Sequence, residues 1–299
     1  MARPVEVVVV DACLRDGVGG SPTAVVGDRD GIGDPDLTRI PLLAGTSHVA
    51  VLGPAGSAGS GRSLRFFTAE GELPTCGHGT VAAIAVLSAG TAGGASLAGG
   101  GFRGRLRAGG REFDATGVCD PPGDVVTARF DQGLVEHRFP DAAEVAPFLA
   151  ALGLRPGDLH PRDEPAVASP GRPRLLIPVA DRAVLARLRP DHERLGEASR
   201  RQDQLGCFVY VPPAPGVRAH ARMFAPAIGV PEDIANANST GCLAAHLLVT
   251  GRSADVEVDQ GDALGRPSTV HASATRTAHG IATSVGGTAR VTRTVRIAG

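Results

Sequence analysis

The chain contains no lysine; its basic residues are all arginine. That excludes Schiff-base catalysis through a lysine and any lysine-dependent phosphate-binding loop, so pyridoxal phosphate is not an expected cofactor. Cysteine is sparse and scattered. Cys13, Cys76, Cys119, Cys207 and Cys242 form no Cys-x-x-Cys pair, which indicates neither a zinc knot nor a disulfide framework. No apolar stretch reaches the roughly 18 residues of a membrane span, and the opening Met-Ala-Arg-Pro-Val-Glu lacks an apolar signal core. The formal net charge is −1 with no long run of either sign, which argues against nucleic acid or an anionic membrane as partner. These absences describe a soluble, reduced, cytoplasmic protein acting on a small molecule, with no metal or cofactor expected.

What is present is length and small residues. A chain of 299 residues is long enough for two lobes of about 120–150 residues each. Pro121-Pro122-Gly123-Asp124 is the best boundary, giving lobes 1–120 and 121–299. The abundance of Gly, Ala and Pro beside an all-arginine basic set reads as coding bias, and the Gly/Ala/Ser-rich stretch 89–101 reads as a loop without function of its own. Strands are expected at Val5–Val10, Thr23–Val26, His48–Leu52, Leu64–Thr68, Phe102–Ala115, Val125–Phe130, Arg174–Val179, Cys207–Val211, His220–Phe224, Val256–Val258 and Ala289–Ile297. Helices are expected at Leu37–Leu43, broken by Pro41, at Ala142–Leu152 and at Asp181–Leu188. Strands, a loop, a buried helix and further strands recur in each half, an α+β pattern without regular strand–helix alternation.

Two stretches carry the chemistry. Thr75-Cys76-Gly77-His78-Gly79-Thr80 runs directly into Val81-Ala82-Ala83-Ile84-Ala85-Val86-Leu87, which places a polar loop at the first turn of a buried helix. The unpaired N–H groups and positive dipole end there favour an anion such as a carboxylate. Gly77 and Gly79 permit close approach to the backbone, while Cys76 and His78 can move protons at neutral pH. Far downstream, Glu232-Asp233-Ile234-Ala235-Asn236-Ala237-Asn238-Ser239-Thr240-Gly241 runs in the same way into Cys242-Leu243-Ala244-Ala245-His246-Leu247-Leu248-Val249. His246 reads as a satisfied core or interface histidine, and His137, His160, His192 and His220 have no constellation around them.

These stretches resemble a known family. Gly19-Gly20-Ser21-Pro22-Thr23-Ala24-Val25-Val26, the segment Leu64–Thr80, the run Arg222–Asp233, and Gln260-Gly261 with Gly265-Arg266-Pro267-Ser268 are similar to successive markers of the phenazine-biosynthesis-like (PhzF-like) proteins. The resemblance implies a diaminopimelate-epimerase-like fold: two similar lobes, each a mixed sheet around a central helix, with the site in the cleft between them. It implies a cofactor-independent, homodimeric isomerase of small carboxylates, in which a glutamate shuttles a proton assisted by a histidine and an aspartate. By motif the last two carry over to His78 and Asp233.

The departures bear on mechanism. Thr46-Ser47-His48-Val49 stands where the family has Ser-Glu-Thr-Ala, so Ser47 occupies the place of the glutamate, and a serine hydroxyl is too weak a base to act unaided. His48, beside it, is the candidate substitute, although neighbouring strand residues point to opposite faces and His48 could equally turn away. Ile234, Asn236, Ala237 and Asn238 replace Pro, Thr, Gly and Ser of the second motif. The catalytic candidates are therefore His78, Asp233, His48, Ser47 and Cys76. The carboxylate-binding candidates are Thr46, Gly77, Gly79, Thr80, Ala237, Asn238 and Ser239.

Three functions stay open. The first is an isomerase shifting a proton and double bond in a small unsaturated acid, by analogy a cyclic, amino-acid-derived one in secondary metabolism. The second is a two-cysteine racemase or epimerase, which needs a second thiol near Asn236. Cys242 lies six residues on, about 9 Å along a helix. The third is a binding protein that lost the catalytic glutamate.

Overall fold

The computed structural model describes residues 4–28, 31–54, 61–90, 101–120 and 123–297. Most of the Gly/Ala/Ser-rich stretch 89–101, the first two residues of the expected boundary at Pro121-Pro122, most of the Gly/Ser loop between 53 and 61, and Met1 to Arg3 lie outside the described residues. The chain forms two compact units, one comprising 1–131 with 286–299 and the other 132–285.

In the first unit the elements are β1 (Val5–Ala12), β2 (Ser21–Gly27), α1 (Asp34–Leu37), α2 (Ile40–Ala44), β3 (His48–Leu52), β4 (Arg62–Thr68), β5 (Gly71–Leu73), α3 (Gly77–Ser88), β6 (Gly101–Ala108), β7 (Arg111–Asp120) and the start of β8 (Val125–Arg138). β1 is antiparallel to β2, with Val8 opposite Val25, and β2 is parallel to β3, with Thr23 opposite His48. β3 and β4 are antiparallel, β4 and β6 parallel, and β6, β7 and β8 antiparallel. The end of the chain returns to the first unit and lies antiparallel to β1, with Val5 opposite Ile297 and Ala12 opposite Ala289.

β1, β2, β3, β6 and β7 all pack on α3. Every residue of α3 is buried, and none is larger than Leu, Ile or His. A helix surrounded by sheet has no polar face to present, which is why its sequence lacks amphipathic spacing and consists of small apolar residues. Burial of Val81, Ile84, Val86 and Leu87 contributes about 1.5–3 kcal/mol each. The opposite face of the sheet is covered by α1 and α2, where Val7, Val9, Ala24, Val26, Leu37, Ile40, Ala44, Val49, Val51 and Phe67 form one core cluster. Pro41 does not break a helix between Leu37 and Leu43 as expected. It sits in the first turn of α2, where its missing N–H costs nothing. The expected strand Phe102–Ala115 is a hairpin, turned by Gly109 and Gly110 at φ 57° and 76°, the left-handed pair of a two-residue turn.

The second unit continues with α4 (Ala142–Leu152), β9 (Ala166–Ser169), β10 (Arg174–Pro178), α5 (Arg182–Arg187), α6 (His192–Arg201), β11 (Cys207–Val211), β12 (Ala219–Ala225), β13 (Val230–Asp233), α7 (Ala237–Val249), β14 (Asp255–Gln260), β15 (Ser268–Thr277) and the start of β16 (Gly280–Ile297). Helix α6 has no counterpart among the expected elements. The unit repeats the plan of the first: α7 packs on β9, β10, β14 and β15. On another core cluster, α4, α5 and α6 bury Phe148, Leu152, Leu185 and Leu195 against Leu175, Ile177, Val209 and Phe224.

Near its C-terminal end α7 is tied down by a buried polar network. His246 Nε2 lies 2.9 Å from Asp163 Oδ1, Tyr210 donates its hydroxyl to Asp163 Oδ2 at 2.8 Å, and Arg252 Nη2 donates to Asp163 Oδ1 at 2.8 Å. His246 Nδ1 lies 3.0 Å from His137 Nε2. Burial alone would raise the Asp163 pKa, but the hydrogen bond and charge of His246, with the hydrogen bonds of Tyr210 and Arg252, bring it down to about 2. Burial, then the charge of His246, lowers the His137 pKa to about 4.

Two outcomes are expected. Asp163→Ala, which strips the buried Tyr210 and His246 and the partly exposed Arg252 of their acceptor, should lower unfolding free energy by about 3–5 kcal/mol in urea denaturation. Because both folded-state pKa values lie below the ordinary 6.5 and 3.8, the unfolded chain binds these protons more tightly. Thermal stability should therefore be full above pH ~6.5. It should fall through the His137 window toward about 4, and again from ~3.8 toward about 2, as melting at stepped pH would show.

Candidate active site

α3 starts at Gly77, with Cys76 as its N-cap in extended conformation (φ −145°, ψ 115°). The cap position is held by backbone and hydroxyl: Thr80 donates its N–H to Cys76 O at 2.9 Å and its hydroxyl to the same oxygen at 2.8 Å. No side chain caps this end. It therefore keeps the positive electrostatic character that favours an anion.

Strand period decides which way His48 turns. Val49 and Val51 face the α1–α2 cluster, so His48 and Ala50 face α3. His48 Nδ1 meets His78 Nε2 at 3.0 Å, with the rings edge to face at 4.4 Å between centroids. His78 Nε2 is also 3.4 Å from Cys76 Sγ, and His48 Nδ1 is 2.9 Å from Ser47 Oγ. Ser47 precedes the strand, which lets its hydroxyl reach the ring of its neighbour while the residue stays exposed. His48, Cys76 and His78 are 6%, 6% and 3% exposed. Burial, and then the neighbouring His78, hold the His48 pKa well below the ordinary imidazole value, so this ring is neutral at pH 7.

A neutral imidazole carries one ring proton, so His48 Nδ1 is either donor or acceptor. As acceptor it takes one hydrogen bond, from His78 Nε2–H or from the Ser47 hydroxyl. As donor it gives its proton to one of the same two atoms, and when that atom is Ser47 Oγ the His78 Nε2 can accept from the Cys76 thiol. The cluster can thus exist with one mobile proton in two places. The donor atoms of His48, Cys76 and His78 all lie within 4.8 Å of one another, the set among the described residues that could hold a metal ion.

Gly79 has a use beyond the one expected. A Cβ there would lie 2.9 Å from Phe66 Cδ1 and 3.0 Å from Cys76 Sγ, so the missing side chain makes room for the fully buried Phe66 ring and the thiol. Gly77 and Thr80 are buried in the same turn, and the Thr46 hydroxyl donates to His48 O at 3.1 Å.

The second motif is organised differently. Asn236 caps α7, its side chain accepting the Ser239 N–H at 2.9 Å and donating to Asp233 Oδ2 at 2.9 Å. Ser239 turns its hydroxyl to Met223 Sδ at 3.4 Å, Ala237 is buried, and Gln132 Nε2 donates to both Asn238 O and Asn238 Oδ1. Gln260 accepts the Asn236 N–H and donates to Thr240 Oγ1. Glu232 is occupied by Arg222 in a two-pronged ion pair at 2.9 and 2.8 Å. Cys242 is buried in the second turn of α7, where Arg174 Nη1 donates to its sulfur at 3.7 Å. The His137–His246–Asp163 network was missed because 83 residues separate Asp163 from His246 and no local spacing joins them.

Gly79→Ala should force the Phe66 ring and the Cys76 sulfur apart. The expected cost is about 1–3 kcal/mol in denaturant unfolding, with the Cys76 thiol more reactive toward a thiol reagent than in the parent.

The profile of the family described as "Phenazine biosynthesis-like protein" matches residues 10–294. An uncharacterized isomerase of Clostridium acetobutylicum is 26% identical over 281 residues, covering 89% of this chain and 88% of its own. The trans-2,3-dihydro-3-hydroxyanthranilate isomerase of Pseudomonas aeruginosa is 30% identical over 279 residues, covering 89% of each. A crystal structure of a PhzF-family phenazine biosynthesis protein from Bacillus anthracis superposes with a TM-score of 0.82 over 99% of both chains at 19% identity, a likeness of fold. With the family pattern spanning nearly the whole sequence and the α+β fold matching, the chain belongs to the phenazine biosynthesis-like family of isomerases.

Proposed function

We propose that this protein moves a proton, and with it a double bond, within a small unsaturated carboxylic acid, and that the Cys76–His78–His48 cluster handles the proton. The observation that carries the reading is the contact of two imidazoles and a thiol on the uncapped first turn of a buried helix. The substrate carboxylate binds at the backbone N–H groups of Gly77 to Gly79, where the helix dipole offsets the charge that develops on an enolate- or enamine-like intermediate. His78 Nε2 takes the proton and returns it to the neighbouring carbon.

His48 replaces the family's carboxylate at Ser47 with a neutral partner. A glutamate there would hold an adjacent imidazole in its charged form. A second, buried imidazole brings no such charge, and burial keeps its own lone pair available at neutral pH. Ser47 orients the His48 ring through its hydroxyl and is not itself the base. The reading also gives Asp233 a share in proton transfer, on its motif alone. A substituted pyrroline carboxylate or a dihydro-hydroxyanthranilate, the latter named for the P. aeruginosa relative, is the substrate class, in a secondary-metabolite setting.

The test is deuterium uptake in D2O, followed by proton NMR, with trans-2,3-dihydro-3-hydroxyanthranilate and a pyrroline carboxylate as probes. Uptake at the migrating position is expected, falling about 10²–10⁴-fold in His78→Asn and by a smaller factor in His48→Asn and Asp233→Asn. Binding of either probe by calorimetry without any exchange would replace the isomerase with a binding protein. Since the folded His48 pKa is lowered, its neutral form persists as pH falls below 6.5. His48→Asn should accordingly move the acid limb of the exchange profile, and a limb left in place by that change would remove His48 from the mechanism.

A further inference from the structure

We propose that His48, Cys76 and His78 form a binding site for one thiophilic divalent cation, of the zinc class, and that the cation competes with proton transfer at His78. The inference shares residues with the isomerase reading but does not depend on the reaction assigned to them.

The donor set is the first argument. One thiol and two imidazoles, with no carboxylate among the grouped donors, is the combination that selects zinc over magnesium or calcium. Three protein ligands with a fourth place left over is the pattern of an open tetrahedral site.

Geometry is the second. Metal–ligand lengths of about 2.0–2.1 Å to nitrogen and 2.3 Å to sulfur in a tetrahedron set N···N near ~3.3 Å and N···S near ~3.5 Å. The atoms present stand at 3.0 Å for His48 Nδ1 to His78 Nε2 and 3.4 Å for Cys76 Sγ to His78 Nε2, with all three inside 4.8 Å. Two of the separations lie within a few tenths of an ångström of the tetrahedral values, and the third, between His48 and Cys76, closes from within 4.8 Å to about 3.5 Å when an ion draws the donors together.

Rigidity is the third. His48 opens a strand paired on both sides, Cys76 is the N-cap and His78 the second residue of a helix buried along its whole length. The three side chains are held together by the fold before any ion arrives, so binding orders little that is not already ordered. Ser47 Oγ, 2.9 Å from His48 Nδ1 and on an exposed residue, adds a hydroxyl beside the three donors.

Binding replaces the Cys76 S–H bond with a sulfur–metal bond, the electron pair staying on sulfur and one proton passing to solvent. The cation takes the lone pair of His78 Nε2, the same pair that a substrate proton needs.

The experiment is titration of the chelator-treated full chain with Co2+, followed by displacement with Zn2+. One equivalent of Co2+ per chain is expected, with a thiolate-to-cobalt charge-transfer band in the near ultraviolet that one equivalent of Zn2+ abolishes. Cys76→Ser should lose the band, Cys119→Ser should keep it, and His48→Asn should weaken binding at least ~100-fold, the upper end of what loss of a mere supporting residue costs. Absence of the band with one equivalent of Co2+, or its survival in Cys76→Ser, overturns the site. Should Cys76→Ser fail to show a folded circular dichroism melt, His48→Asn decides: unchanged affinity overturns the site and loss supports it. Deuterium exchange run in chelator keeps the two readings apart. Exchange without cobalt binding sinks the metal site alone, and cobalt binding without exchange sinks the isomerase alone. Where both occur, Zn2+ at one equivalent should suppress exchange, and unchanged exchange would remove the competition.

Discussion

Complete burial of α3 is the constraint on which the first unit depends. A helix touched by β1, β2, β3, β6 and β7 has no solvent side, and so it can carry polar chemistry only where its backbone is itself polar, at the first turn. The thiol and imidazole of Cys76 and His78 are concentrated there because the rest of the helix is closed to them. Burial also sets their properties. His48 is forced neutral by its surroundings, and two rings that in water would ignore one another meet at 3.0 Å.

The two helix N-termini look alike as strings of residues but differ as structures. α3 has no side-chain cap, and its first turn is left to backbone, His78 and Thr80. α7 is capped by Asn236, which ties Ser239 to Asp233, while Gln132 and Gln260 occupy the groups of Asn238 and Asn236. An anion has more to gain at the first than at the second. The departures from the family pattern around 234–238 thus coincide with a loop that satisfies its own polar groups.

The substitution of Ser47 for a carboxylate and the presence of His48 are best understood together. No carboxylate stands among the grouped donors, and burial lowers the His48 pKa so that its ring is neutral. A nitrogen and sulfur set of this kind is one in which a soft cation meets no carboxylate competitor. The two proposals, proton transfer and metal capture, call on one set of lone pairs, so that under them an ion occupying the set excludes the proton.

By itself the sequence determined the mixed α+β class, the central helices at Val81–Leu87 and Leu243–Val249, most strands, and the family, because small-apolar runs, valine-rich segments and spaced motifs are local properties of the chain. The turn at Gly109-Gly110 was written there too, in two adjacent glycines, though the apolar pattern around it reads as one strand. Only the tertiary structure decided that His48 turns toward α3, since alternation along a strand offers two faces and the choice falls to whichever side buries Val49 and Val51. Contacts between distant segments decided the remainder: the chain end returning to β1, His246 meeting Asp163, and Phe66 claiming the space over Gly79. Such pairings are set by how surfaces pack, and no spacing within the chain encodes them.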